Sequence, residues 1–136
     1  MSFVLDASVS LAWCFTDEAT PTTTIALDYL ENNSAIVPEI WSLEVSNILV
    51  MAERRKRITY AGIIEFLSLI ENLNICVDKE TSARGFREIL SIAHAEHMTT
   101  YDAAYLELTM RLGIPLATKD EHLLKIAKKL GVREFK

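Results

Sequence analysis

Short apolar runs alternate along the chain with longer stretches in which apolar residues recur every three or four positions. Phe3-Val4-Leu5 reads as a first strand, Ala35-Ile36-Val37 ahead of Pro38 as a second, Ile75-Cys76-Val77 as a third and Leu116-Ala117-Thr118 as a fourth; residues 132–135 add a fifth at an edge. Each run is short and largely apolar, as expected for strands buried on both faces. Helical spacing predicts helices over 7–15, 23–30, 40–55, 60–71, 81–96, 101–111 and 121–130. Gly113 and Gly131 fall just beyond two of them, where a left-handed cap is wanted. Strands alternating with helices give an α/β fold of three layers, a central parallel sheet of four to five strands flanked by helices. Right-handed crossovers follow, and ligands gather beyond the carboxyl ends of the strands. No repeat, low-complexity segment or Gly/Ser linker interrupts the pattern, so residues 1–136 read as a single domain.

The chain has 136 residues, which suits one domain with a sizeable core. Hydrophobic residues make up 50%, enough to leave apolar surface for a second copy or a partner protein as well as to fill a core. Lys and Arg number 14 against 19 Asp and Glu, a net charge of −5. Bulk charge would therefore repel nucleic acid, and any RNA must be held through a local basic patch or metal ions. Cys14 and Cys76 are isolated thiols without metal spacing, and they read as core residues in a reducing compartment. The start lacks a signal-peptide pattern and no apolar stretch is long enough for a bilayer, which points to the cytoplasm and away from membranes.

Three acids fall where a crevice would form. Asp6 follows the first strand, Asp120 follows the fourth and precedes a helix, and Asp102 opens a helix after Thr99-Thr100. Each also fits a plainer part: Asp6 and Asp120 suit helix N-caps, worth about 1 kcal/mol, and Asp102 suits a partner for the helix dipole. Glu44 is harder to place at the surface. On a helical projection Trp41, Val45, Ile48 and Ala52 share one face and Glu44 lies on its shoulder, where a carboxylate needs a cation, a hydrogen bond or water. Glu39 is a weaker candidate and suits the first turn of that helix. Carboxylates gathered at the mouth of one sheet raise each other's pKa and weaken the fold. A hard divalent cation relieves that conflict, and the lack of a Cys/His cluster argues against zinc. Magnesium bound by carboxylates and substrate phosphate suits phosphodiester hydrolysis. Ser8 and Thr118, two residues from Asp6 and Asp120, are placed to hold a water of the cation cofactor or a carboxylate; the alternative is hydroxyls bonding nearby backbone.

These residues carry a resemblance. The sequence resembles PIN-domain ribonucleases, in particular VapC-type toxins of toxin–antitoxin pairs, over essentially its whole length. The likeness rests on Val4-Leu5-Asp6-Ala7-Ser8, on Pro38-Glu39 leading into Glu44-Val45-Ser46-Asn47, on Thr100-Tyr101-Asp102-Ala103-Ala104-Tyr105, and on Ala117-Thr118-Lys119-Asp120 followed by Leu123-Leu124. It implies a PIN-like (Rossmann-like) sheet, Mg2+- or Mn2+-dependent endonucleolytic cleavage of RNA, inhibition by a cognate antitoxin protein, and a homodimer. Asp6, Glu44, Asp102 and Asp120 match the family's acidic quartet, the catalytic and metal-binding residues. Many relatives carry a further acid two residues after the position of Asp120; His122 stands here, which puts a second metal site in question.

Other features admit two readings. Arg54-Arg55-Lys56-Arg57 suits either a solvated helix end or contact with RNA phosphates. Lys125, Lys128 and Lys129 read as a solvated basic face. Trp13 and Trp41 read as core or interface anchors, or as a stacking surface for a base. His94 and His97 receive no role. A phospho-acceptor signalling domain of doubly wound fold is an alternative, but it wants an acid pair after the first strand, where Asp6 stands alone, and would need Asp78 as acceptor. A haloacid-dehalogenase-like phosphatase would need a second Asp in place of Ser8. A catalytically silent PIN fold serving as a binding module is the remaining alternative.

Overall fold

Phe3, Val4 and Leu5 are wholly shielded from solvent because the strand they form has a neighbour on each side. The computed structural model describes all residues, 1–136. Its strands β1 (Ser2–Leu5), β2 (Ser34–Pro38), β3 (Ile75–Asp78) and β4 (Leu116–Ala117) form one sheet in the order β3-β2-β1-β4, with every pairing parallel. Around it lie α1 (Ala7–Ala12), α2 (Pro21–Tyr29), α3 (Trp41–Arg54), α4 (Tyr60–Glu71), α5 (Thr81–Arg84), α6 (Leu90–Glu96), α7 (Thr100–Leu112) and α8 (Glu121–Lys129). The α/β three-layer reading therefore holds, with four strands. No helix is long and apolar enough to cross a membrane.

α7 is the axle of the molecule. Residues 103–109 are all buried, and the helix packs across β1, β2 and β4. Thr99 caps it by accepting the Asp102 amide at 3.2 Å, and Gly113 ends it with φ at 67°, the left-handed conformation its position predicts. Arg111 then pins it to the far edge of the sheet. Its guanidinium reaches Asp78 at 2.7 Å and Glu107 at 3.0 Å, and Arg84 approaches the same Glu107 at 3.6 Å. The Glu107 side chain is only 6% exposed, so these cations are what make its burial tolerable.

Several expectations are corrected. β3 is not buried on both faces: it is an edge strand paired only with β2, and Cys76 and Val77 are exposed. Cys76 is thus no core residue, and Cys14 is only half-buried. The fifth strand reduces to a single bridge between Leu116 and Glu134, although Phe135 still stacks on Phe3 with ring centroids 4.4 Å apart. The helix expected over 81–96 breaks into α5, a π-type turn over Gly85–Ile89 and α6, with Arg87 off the helical conformation. Gly85, the weakest helix former in that stretch, stands where the break begins. On α3 the buried stripe is Trp41, Val45, Leu49 and Ala52, a closer match to 3.6 residues per turn; Ile48 is exposed and extends the shoulder that carries Glu44. α1 stops at Ala12, before Phe15, and α2 starts earlier than expected, because Thr20 and Pro21 supply an N-cap and a first-turn proline.

Candidate active site

The chain leaves β1 to one side to build β2 and returns on the other side as β4, so the order of the sheet reverses beside β1. A crevice opens at such a point beyond the carboxyl ends of the two strands. Asp6 is the first residue after β1, and Thr118, Lys119 and Asp120 follow β4.

Asp6 is 8% exposed and occupies the N-cap position of α1, yet its side chain makes no cap hydrogen bond. The carboxylate is turned to other partners. Its Oδ2 accepts from the Ser8 and Thr118 hydroxyls, each at 2.7 Å. Those hydroxyls in turn accept backbone amides, Ser8 from Lys119 and Thr118 from Asp120, each at 3.0 Å. A hydroxyl has one proton to give, and here both protons go to Asp6. Ser8 and Thr118 thereby lock the loop after β4 to the carboxylate at the end of β1. Ser10 adds a second tie, donating to the Asp6 carbonyl at 3.3 Å and accepting from the Trp41 indole at 3.0 Å. That link joins α1 to the first residue of α3, one turn before Glu44.

Glu44 is half-buried, and its Oε1 accepts from the Tyr105 hydroxyl at 2.6 Å. Asp102, three residues before Tyr105 on α7, is half-buried and leaves capping to Thr99. Asp120 is exposed and does cap its helix, with Oδ1 accepting the Leu123 amide at 3.0 Å.

These carboxylates share one electrostatic field. Burial pushes Asp6 up from the usual aspartate range; the two hydroxyls pull it back, and the charge of Asp120 adds to the rise. Burial raises Glu44, Tyr105 moderates the shift, and Asp6 and Asp102 push it further. Asp102 is raised by burial and then by Asp120 and Asp6, while His122 opposes the rise. The side chains stop short of a closed cage, since no three acidic, His or Cys side chains stand close enough to surround one ion. Like charges that face one another spread apart. The donor set is all oxygen, without thiol or imidazole, and suits a hard divalent cation.

The remaining candidates lie elsewhere. Glu39 is exposed, with its backbone amide on the Thr81 hydroxyl at 3.2 Å. Asp78 is on the edge strand, and the Arg111 guanidinium beside it holds its carboxyl below the usual range. That engagement and the distance of β3 from β1 in the sheet deny it the part of a phospho-acceptor beside Asp6. Arg57 binds Asp17 and Glu18, each at 2.7 Å, and lies over the Phe15 ring, so it ties the segment after α3 to residues 15–18; Arg54, Arg55 and Lys56 form no ion pair. Lys128 and Lys129 pair with Glu134 and Glu96, whereas Lys125 is unpaired. His94 and His97 are exposed. Trp41 is a buried anchor, and Trp13 is half-buried with its indole on the Thr23 carbonyl at 2.8 Å. Ser10 and Tyr105, the latter standing only as the end of a motif, received no role from the sequence. The one signal for Tyr105 was its place a turn after Asp102 on the same helix face.

A family model described as PIN domain matches residues 3–129. No curated protein matches the chain. Among solved structures, PAE2754 from Pyrobaculum aerophilum is similar, with 21% identity, a TM-score of 0.71, and coverage of 92% of this chain and 84% of that one. VapBC2 from Rickettsia felis, crystallised with a DNA fragment from its promoter, is similar over 98% of this chain and 97% of that one, with 10% identity and a TM-score of 0.69.

Proposed function

Because the chain belongs to the PIN domain family, we propose that it is a divalent-metal-dependent endoribonuclease and the toxin of a toxin–antitoxin pair. The observation that carries this reading is Asp6. It is a buried carboxylate at the point where the sheet order reverses, it is not spent on capping, and it lies in one field with Glu44, Asp102 and Asp120. These four would hold Mg2+ or Mn2+. When bound, the ion supplies Lewis acidity, lowering the pKa of water and offsetting charge on the phosphate. Ser8 and Thr118 keep Asp6 oriented, and Glu44 and Asp102 face it from α3 and α7. An acidic crevice on a chain of net charge −5 repels RNA until its charge is balanced, so substrate binding and the cation are coupled.

A cognate antitoxin and a homodimer belong to the same proposal. The VapBC2 neighbour supports the first. Apolar side chains left at the surface, among them Phe86 at 93% exposure and Leu43 at 72%, support protein partners in general. Two unpaired thiols fit the cytoplasm.

The test is cleavage of a panel of structured and single-stranded RNAs by wild type and Asp6→Asn, in Mg2+, in Mn2+ and with chelator. Cutting should require the metal and fall by about a thousandfold in the variant, equivalent to roughly 4 kcal/mol of lost transition-state stabilisation. Equal cutting by both proteins, or cutting by wild type with chelator, would reject the assignment. RNA binding without cleavage in either metal would favour the silent binding module.

A further inference from the structure

We propose that Tyr105 is a positioning residue of the cation site, its hydroxyl holding the Glu44 carboxylate against the repulsion of its neighbours so that Glu44 is available as a ligand. The inference rests on the metal-site reading above. Glu44 sits in the first turn of α3, half-buried, with the charges of Asp6 and Asp102 both opposing it. A glutamate has three rotatable bonds, and repulsion would swing this one toward water. The Tyr105 hydroxyl is the only hydrogen-bond donor on its carboxylate, and it sits 2.6 Å from Oε1, the length of a charge-assisted O–H···O bond.

The donor is also immobile. Tyr105 is 0% exposed in the middle of the buried run of α7, so its ring is fixed by packing on every side and its hydroxyl cannot follow a wandering carboxylate. α7 presents Asp102 and Tyr105 one turn apart on one face. A single helix therefore contributes a carboxylate to the crevice and the clamp on the carboxylate opposite. The third carboxylate, Asp6, is clamped in the same manner by Ser8 and Thr118. The competing role is purely structural: a buried phenol needs an acceptor, and Glu44 supplies one. The two roles differ in what the hydroxyl's loss changes. Loss of a structural partner lowers stability, whereas loss of a clamp lowers affinity for the cation.

Mn2+ binding to the RNA-free protein, measured by calorimetry, separates them. Tyr105→Phe keeps the ring and removes the clamp, and it should weaken Mn2+ binding by about tenfold, the low end for loss of a group that orients a ligand. Placed in a Glu44→Gln background, the same change should leave Mn2+ affinity unaltered. Wild-type affinity in Tyr105→Phe, beside loss of binding in Asp6→Asn, would overturn the positioning role while leaving the metal site standing. Failure of wild type to bind Mn2+ would remove the metal-site reading and this inference with it. Thermal unfolding monitors the fold of each variant. Should Tyr105→Phe fail to fold, the hydroxyl proton of Tyr105 in wild type, observed by NMR, supplies the answer: it should shift on addition of Mg2+, and an unmoved resonance overturns the proposal.

Discussion

Thr118 spends its single hydroxyl proton on Asp6 and takes the Asp120 amide in return, so one side chain ties together two candidate ligands. Thr118→Val keeps the shape and removes both bonds. It should weaken Mg2+ or Mn2+ binding by about tenfold, measured by calorimetry, and unchanged affinity would reduce Thr118 to local backbone bonding. Asp6 makes a separate prediction about pH. Its folded pKa is raised, so its contribution to stability is intact below the ordinary aspartate value of 3.8 and is lost as pH climbs through the raised one. Asp6→Asn should accordingly melt higher than wild type at neutral pH in chelator, and the advantage should vanish in acid. A variant that melts lower at neutral pH would contradict the reading. Saturating Mg2+ should reverse the order, since a ligand at a hundred times its Kd adds about 2.7 kcal/mol to a protein that binds it. The places of Asp6, Asp102 and Asp120 at strand ends or a helix start were legible from the order of elements. Tyr105 was not, because its acceptor lies 61 residues away on a helix whose docking no local pattern encodes.

Among the elements, α7 shows how packing and charge divide the work. Its buried run seats it on the sheet, and Arg111 fixes its far end to β3 and to the buried Glu107. Arg111→Met should cost roughly 3 kcal/mol, because Asp78 would lose its hydrogen-bonded cation and Glu107, in a nearly closed site, would keep only Arg84 at 3.6 Å. Chemical denaturation gives the value, and a loss below 1 kcal/mol, the range of an exposed pair, would show the network to be slack. Gly85 offers the opposite sign. Its backbone is ordinary helix (φ −59°, ψ −45°) and an added Cβ meets nothing within 4 Å, so Gly85→Ala should stabilise by about 0.5–1 kcal/mol. Strand and helix order was legible from periodicity alone, and most helix ends fell within a few residues. The π-type break over Gly85–Ile89 was hidden because apolar spacing continues through it, and the exposed face of β3 because an apolar run does not reveal whether its strand lies inside the sheet or at its edge.

Over the whole molecule, the open edge of the sheet has a chemical signature. Cys76 on β3 should react with a thiol reagent in the native protein well before Cys14, whose thiol is half-buried and whose pKa burial raises; equal rates would place β3 under cover in solution. Negative charge gathers beside β1, where Asp6, Glu44, Asp102 and Asp120 act on one another, while Arg54, Arg55, Lys56 and Lys125 are the cations of the basic runs without an ion pair. That three of the site's acids stand at strand ends and helix starts could be read from the order of strands and acids. How far its carboxylates stand from one another could not, because that depends on repulsion, hydroxyl clamps and a bound ion together. Anomalous diffraction at the manganese edge from crystals grown with Mn2+ settles whether they hold a cation. The peak should lie in the crevice between Asp6, Glu44, Asp102 and Asp120, with Asp6 Oδ1 turned to it and Oδ2 still on Ser8 and Thr118, and it should be missing in Asp6→Asn. A peak elsewhere, or none beside Asp6 in wild type, would contradict the assignment.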